Sequence, residues 1–429
     1  MQSSSNIVDV TVLGNFDDTL KAAPLKPFDD TVLEFFNSLS KRLTKVREYS
    51  DVVTFGFWCR KAALLKEKAN YDDLGVRLGR GVVFHSTPSN VPVNFAYSFA
   101  AGLLAGNANI VRLPGKDFEQ VSIIVDAVRE LLNGDHADIA PYVCFVKYPP
   151  HKDQNDLYAS VCDVRIVWGG DATISEFRES PLKPRAKELT FADRYSIAVI
   201  NADEYLKAAD KTKIAQDFYN DTYFSDQNAC TSPRIVFWLG EKKEEAKKVF
   251  WQSVDVLARE KYELAPVQAV GKLAAFYKAA AAGNVKRSAA GGVFSSRTSG
   301  YSKPSLVAVA PPEGETKKYH PSHDHTEDNY ITRVKVTNAD NDLMDFKYNS
   351  GFFFEQDIES LEDILPICGE RLQTLTYYGL TKTEISSFIS EFKPKGIDRA
   401  VPLGKSMDFS LTWDGYDLIR ELSRKVVLI

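Results

Sequence analysis

Gly81-Val82-Val83-Phe84-His85-Ser86-Thr87-Pro88-Ser89-Asn90-Val91-Pro92-Val93 is the stretch on which the reading of this chain turns. Gly81 to Phe84 reads as a short buried strand, and Pro88 and Pro92 bracket the turn that follows it. Proline fixes its φ at about −65°, so the Asn90 amide between them is held in one pose. An amide held this way can donate a hydrogen bond to a developing oxyanion. It can equally cap the N-terminus of a following helix, and the residues alone leave both readings open.

Outward from this stretch the same rhythm repeats. Ala108-Asn109-Ile110-Val111, Tyr142-Val143-Cys144-Phe145-Val146 and Val164-Arg165-Ile166-Val167-Trp168 read as further buried strands with helical segments between them. Alternation of that kind implies a parallel sheet covered on both faces. Before the third strand, Asp117 and Gln120 suit a capped helix start, Ile124, Val128, Leu131 and Leu132 its core stripe, and Gly134 its stop. The expected fold is α/β with two domains. Residues 1–194 form a Rossmann-like dinucleotide-binding domain with a helical lead-in over 1–74, residues 195–396 a catalytic domain, and residues 397–429 a small return segment. The second domain opens near Ser196-Ile197-Ala198-Val199-Ile200 and includes the strand Ile235 to Leu239 and a helix from about Glu244 to Glu260. Ala279 to Gly300 and Pro311 to Asn329 read as loops or flaps, and Lys425-Val426-Val427-Leu428-Ile429 as an edge strand able to pair across an oligomer interface.

Composition narrows the function. The 429 residues are 44% hydrophobic and 26% charged with a net charge of −5, which gives no electrostatic footprint for nucleic acid or an anionic membrane. The N-terminus lacks the basic and apolar regions of an export signal, and no apolar stretch is long enough to span a bilayer. Cys59, Cys144, Cys162, Cys230 and Cys368 form no C-x-x-C pair. Free thiols fit a reducing compartment, and a cytoplasmic protein is expected.

Several clusters have the residue types that chemistry needs. Arg112 ends a strand and Lys116 opens the next segment, with no carboxylate between them. An acid there would repel a 2′-phosphate, so the local charge favours NADPH, with NAD a possible substitute. Gly169 and Gly170, followed by Asp171 and lying between a strand and a helix read as Ile174 to Arg178, let a backbone approach a pyrophosphate, although the chain has no G-x-G-x-x-G. Cys230 stands in the polar stretch Ser225-Asp226-Gln227-Asn228-Ala229-Cys230-Thr231-Ser232-Pro233-Arg234 between a helix and a strand, whereas the other four cysteines sit in apolar runs. Glu188, just ahead of the second domain, is either a general base or a solvated acid. His320, His323 and His325 lack matching partners for zinc. Gly404-Lys405-Ser406 has Arg399 where a P-loop requires glycine, and no G-x-S-x-G is present. Phe352-Phe353-Phe354 and Tyr377-Tyr378 suit an acyl tunnel or plain core.

Taken together and in this order, the clusters resemble the aldehyde-dehydrogenase superfamily. In detail, Gly81 to Lys116, Phe224 to Pro233 and Val401 to Asp417 resemble the acyl-CoA reductase family that includes the bacterial bioluminescence fatty-acid reductase. The resemblance implies reduction of an acyl-CoA or acyl-protein thioester to an aldehyde, with Cys230 as nucleophile and Asn90 as the amide of its oxyanion hole. It implies a cofactor site that includes Ser86, Thr87, Pro88, Arg112, Lys116, Gly169, Gly170 and Asp171, with Arg112 standing where a lysine is usual. Glu188-Leu189 looks like the pair that supplies the general base, but Thr190-Phe191 follow where two glycines are usual. A second superfamily glutamate, on the nicotinamide ribose, has no match near Phe352 to Glu355. The resemblance further implies a homo-oligomer and an acyl-protein synthetase as partner. Two competing readings are an acyl-transfer component without reductase activity and an acyl-phosphate reductase, the latter with Arg234 as its anion-binding cation.

Overall fold

A run of apolar residues is stable as a strand only if both of its faces are covered, and such runs build the centre of the first sheet. The computed structural model describes residues 10–282, 306–307 and 329–429. It divides into two compact units, one running to Asp193 and completed by Phe409–Ile429, the other being Arg194–Asp408. The first contains β1 (Thr11–Gly14), β2 (Arg77–Gly79), β3 (Val82–Ser86), β4 (Ala108–Arg112), β5 (Val143–Val146), β6 (Val164–Trp168) and β7 (Lys187–Phe191). Six of these form one sheet in the order β1-β5-β4-β3-β6-β7, parallel except for β1. Numbered among themselves, the five parallel strands read 3-2-1-4-5. This is the doubly wound order, whose reversal between β3 and β6 opens a crevice at the carboxyl edge.

Successive side chains of a strand point to opposite faces, and the first sheet accordingly has two cores. Val83, Val111, Phe145 and Ile166 pack with Phe35, Phe99, Ile124 and Val128. Phe84, Ile110, Cys144 and Val167 pack with Tyr158, Ile174 and Phe177. The helical lead-in is present as Phe16–Lys21, Asp30–Leu43, Ser50–Trp58 and Lys61–Lys68. Its longest member is capped by Asp29, which accepts from the Thr31 N–H, and buries Val32, Phe35, Phe36, Leu39 and Leu43. The helix before β5 is Glu119–Leu132 with the expected core stripe, but its start differs: Phe118 is the N-cap residue and makes no side-chain cap. Asp117 instead pairs with Lys147, and Gln120 reaches Asp51.

In the second unit lie β8 (Tyr195–Asn201), β9 (Pro233–Leu239), β10 (Leu306–Val307), β11 (Thr332–Val336), β12 (Phe352–Asp357), β13 (Leu372–Tyr378) and β14 (Arg399–Pro402). Their order is β10-β11-β12-β9-β8-β13-β14, with only β10 antiparallel to its neighbour. The triple phenylalanine is core on both faces: Phe352 and Phe354 pack with Ile235 and Phe237, while Phe353 packs with Phe218 and Trp251.

After Asp408 the chain contributes β15 (Thr412–Trp413), β16 (Tyr416–Asp417), the helix Leu418–Leu422 and β17 (Ser423–Lys425) to the first unit. β17 pairs antiparallel with β2 of the same chain, and the Val426 N–H donates to the Val76 carbonyl at 2.7 Å. The first residues of the C-terminal run are therefore paired internally, and Val427, Leu428 and Ile429 extend beyond them, exposed.

Candidate active site

In the first unit the carboxyl ends of β3, β4 and β6 bring together most of the residues expected to hold a dinucleotide. Ser86 ends β3 and is in register with Arg112 at the end of β4 and Val167 near the end of β6. Two bonds tie the following loops to each other: Thr87 Oγ1 donates to the Arg112 carbonyl at 2.6 Å, and Ser89 Oγ accepts from the Gly115 N–H at 3.2 Å. With Pro88 and Pro92 they fix the path of the chain around Asn90, whose side chain is exposed. Asn90 does not cap the next helix, because Asn94–Leu104 starts from Val93 without a side-chain cap.

The cations at this edge differ in their engagement. Arg112 donates through Nη2 to the Tyr148 carbonyl at 3.2 Å and lies 4.6 Å from that ring's centroid. Lys116 is exposed. At the end of β6, Gly170 is the N-cap of the helix Asp171–Arg178, which has no side-chain cap, and a Cβ added to Gly170 would meet nothing within 4 Å. Its φ of −67° is ordinary for any residue. The open side of Gly170 and the uncapped helix start are what a phosphate needs in order to approach closely. Gly169, by contrast, is small for internal reasons, since its Cβ would sit 2.9 Å from Thr173.

Beneath this edge runs a buried polar chain that the sequence did not reveal. Trp168 Nε1 donates to Ser98 Oγ at 2.9 Å, and His85 contacts Ser98 Oγ through Nδ1 at 2.8 Å and Asn109 Oδ1 through Nε2 at 3.0 Å. The Asn109 amide nitrogen is committed to the carbonyls of Asn107 and Tyr142. Its oxygen must therefore accept, which assigns the proton to His85 Nε2 and leaves Nδ1 to accept from Ser98. Burial pushes the His85 pKa down to about 4, opposed by the Asn109 bond, and the ring is neutral at physiological pH. The Trp168 indole so anchored stacks on Phe191, with ring centroids 3.7 Å apart.

Glu188 precedes the strand that opens the second unit, as the sequence suggests, but within a strand of its own. That strand is β7, at the edge of the first sheet. It is the second residue of that strand, so it sits toward the amino edge, whereas Asn90, Gly169 and Gly170 follow the carboxyl ends of parallel strands. Both carboxylate oxygens are engaged: Oε2 accepts from Arg165 Nη2 at 2.5 Å and Oε1 from Arg178 Nε at 2.8 Å. The carboxyl end of β7 presents Thr190 and Phe191, neither of them an acid.

In the second unit, Cys230 lies on the loop that enters the amino end of β9 and is partly exposed, while the other four cysteines are buried. Burial pushes the thiols of Cys162 and Cys368 up to about 12 and that of Cys59 well above its usual value. Such thiols are protonated and inert. The Cys230 carbonyl accepts from Ser196 Oγ at 2.7 Å. Arg234 is buried and binds the Tyr348 carbonyl and Asn349 Oδ1 at 2.9 and 2.7 Å, so its guanidinium braces the chain. Glu355 is likewise buried, accepting from the indoles of Trp238 and Trp251 and from Arg333. At Gly404-Lys405-Ser406, the N–H groups of Gly404 and Ser406 bind the Asp221 carboxylate at 2.6 and 2.9 Å. His320, His323 and His325 lie outside the described residues. Among the described residues no group of three or more His, Cys, Asp or Glu is placed to hold a metal, and no helix is long and apolar enough to cross a membrane.

The family model described as Acyl-CoA reductase (LuxC) matches residues 22–269, a stretch that includes both the carboxyl edge and the Cys230 loop. The chain belongs to the acyl-CoA reductase (LuxC) family. Among curated relatives, this LuxC-family chain is 29% identical over 166 residues to the long-chain acyl-protein thioester reductase of Aliivibrio fischeri, covering 38% of this chain and 33% of that protein. It is 28% identical over 173 residues to the enzyme of the same name from Vibrio harveyi, covering 39% and 34%. The matched stretch thus spans about a third of these relatives' length. A lactaldehyde dehydrogenase structure aligns with a TM-score of 0.63 at 11% identity, covering 96% of this chain and 89% of that one. An NAD-dependent benzaldehyde dehydrogenase from Corynebacterium glutamicum gives 0.56 at 13% identity, covering 92% and 80%. The LuxC-family chain has the aldehyde-dehydrogenase fold.

Proposed function

We propose that this chain reduces an acyl thioester, a fatty acyl group on a protein or on CoA, to the aldehyde, with Cys230 as nucleophile and NADPH as reductant. The observation that supports this most directly is that Cys230 alone of the five cysteines escapes burial, on a loop within the family-matched residues. Its thiolate attacks the thioester carbonyl and the carrier thiol leaves, so the acyl group passes to Cys230. The Asn90 amide donates to the oxyanion of the tetrahedral intermediate.

The carboxyl edge of the first sheet fits a dinucleotide. Gly170 and the start of the helix Asp171–Arg178 offer the pyrophosphate an open approach, Ser86, Thr87 and Pro88 form the rigid floor, and Lys116 is exposed for a 2′-phosphate. Bound there, the reduced cofactor supplies the hydride that takes the acyl carbon to the aldehyde level. Cys230 then leaves as thiolate and the aldehyde is released. Glu188, with both oxygens held by arginines, serves as an anchor between β6 and β7 in this reading. An acyl-protein synthetase supplies the acyl group, the chain assembles as a homo-oligomer, and its free thiols suit the cytoplasm.

Incubation with a long-chain acyl-CoA, followed by peptide mass spectrometry and then by addition of NADPH, tests the reading. An adduct on Cys230 that is lost as NADPH is oxidised and aldehyde appears is the expected result. An adduct on another cysteine rejects the nucleophile, and a Cys230 adduct that NADPH does not consume makes the chain an acyl-transfer component instead.

A further inference from the structure

The turn that delivers Cys230 uses a backbone its residues would not choose. Asp226 and Gln227 both have φ of +52°, although neither is glycine. Non-glycine residues persist in this left-handed region only where the surroundings over-determine them. Here the surroundings come from several segments: the Tyr262 hydroxyl and Gln268 Nε2 donate to the Asp226 carboxylate, Arg234 donates to the Gln227 carbonyl, and residues 348–352 bind both side chains. The Gln227 side chain is fully buried, and its Oε1 accepts from the N–H groups of Gly351 and Phe352 at 2.7 and 3.1 Å. Its Nε2 donates to the carbonyls of Pro233 and Phe352 at 3.2 and 3.4 Å. The amide thereby spends both lone pairs and both hydrogens on joining the loop to the amino ends of β9 and β12. Beside it, Ser350 Oγ donates to the Asp226 carboxylate at 2.8 Å, and Asn349 Nδ2 donates to Asn228 Oδ1 at 2.5 Å.

We infer that Gln227 is a positioning residue for the reaction of Cys230. Its side-chain amide fixes the left-handed turn three residues ahead of the thiol and so sets the direction from which the sulfur meets a carbonyl. The inference rests on Cys230 being the nucleophile. An apolar residue of similar size would fill the space but would remove these four hydrogen bonds, leaving the turn to the bonds of Asp226 and of the residue-227 backbone.

Gln227→Glu in the full chain tests it. An ionised carboxyl at this position still accepts from Gly351 and Phe352 but has no hydrogen for the two carbonyls, whereas the protonated form regains one. Burial raises the pKa of such a group. Transfer of the acyl group from a long-chain acyl-CoA to Cys230 should be slower than in the unaltered chain by about tenfold to a hundredfold near pH 9, the usual effect of a misplaced reacting group. The deficit should shrink toward about pH 6, as the introduced carboxyl takes up a proton that burial and the adjacent Asp226 carboxylate favour and the Arg234 guanidinium, bonded to the carbonyl of the same residue, opposes. Alkylation of Cys230 by iodoacetamide, which needs no oriented carbonyl, should change by no more than about twofold. An unaltered acylation rate, or a deficit that is the same at both pH values or is shared by alkylation, overturns the inference. If Gln227→Glu does not fold, Asn349→Ala, at a half-exposed position, serves instead: slower acylation with unchanged melting supports the role of the 348–352 segment, and an unaltered rate overturns it. Failure of the nucleophile assignment is separately visible as reduction that survives Cys230→Ala.

Discussion

Arg165 and Glu188 face each other on neighbouring strands: their Cα atoms are paired in register between β6 and β7, and the guanidinium closes on carboxylate Oε2 through Nε at 2.9 Å and Nη2 at 2.5 Å. The Arg165 side chain is 3% exposed and also donates to the carbonyls of Phe177 and Ser180. This arrangement buries a cation together with its counter-charge, and removing only the counter-charge leaves the cation unpaired. Glu188→Gln should therefore destabilise the chain by roughly 2 to 3 kcal/mol in urea unfolding, with the pair's partial exposure taken into account. Release of the acyl group from Cys230 should stay near the unaltered rate. Slowed deacylation without loss of stability would restore Glu188 as a base.

Asn90 gives a second test. Its side chain is exposed, and the following helix begins without its help. Asn90→Ala should change stability by no more than about 0.5 kcal/mol yet lower turnover roughly 10²- to 10³-fold, the cost of one oxyanion donor. Steady-state NADPH oxidation with a long-chain acyl-CoA measures the second quantity and denaturant unfolding the first. Undiminished turnover removes the assignment.

How much of this was legible in the sequence follows from the physics of each element. Strands β3 to β6 could be read because strands covered on both faces are apolar at nearly every position, and a run such as Val164 to Trp168 has no other stable use. Strand β7 is not legible because Lys187-Glu188-Leu189-Thr190-Phe191 buries only Leu189 and Phe191, as an edge strand does, and so shows no continuous apolar run. The Cys230 loop is legible as lying between a helix and a strand, but its restraint is not. Gln227 meets Gly351 and Phe352 across more than a hundred residues, and the left-handed turn at Asp226 and Gln227 contains no glycine to announce it. Arg234 could be read only as a cation; its role as a brace depends on Tyr348 and Asn349, which no local pattern connects to it.

Gly170 allows the cofactor edge to be tested apart from the fold. Its backbone is ordinary for any residue and no atom of the chain would meet an added Cβ within 4 Å, so Gly170→Val should cost the fold no more than about 1 kcal/mol. A branched side chain there obstructs a pyrophosphate, and NADPH affinity should fall by about tenfold or more in a fluorescence titration. Lys116→Glu should in addition shift the preference from NADPH toward NADH, since Arg112 is already engaged by Tyr148. Unchanged affinity in Gly170→Val would move the pyrophosphate away from this turn.

Two buried groups give the two units opposite responses to acid. His85 has its pKa pushed from 6.5 down to about 4 by burial, so between those values the unfolded chain binds more protons than the folded one. Its contribution to stability is present above about pH 6.5 and is lost as pH falls toward 4, by roughly 3 kcal/mol at most. Asp221 has its pKa raised from 3.8 to about 6, chiefly by burial and against the bonds from Gly404 and Ser406. Here the folded state binds the extra proton, so stability falls as pH rises from about 4 to 6. Unfolding of the unaltered chain, His85→Gln and Asp221→Asn across about pH 4 to 7 separates the two. The difference between the unaltered chain and His85→Gln should grow with pH, and the difference between the unaltered chain and Asp221→Asn should shrink. Parallel curves for either variant would mean that its group does not titrate in that window, and for His85 that the neutral ring of the Ser98–Asn109 relay has been misassigned.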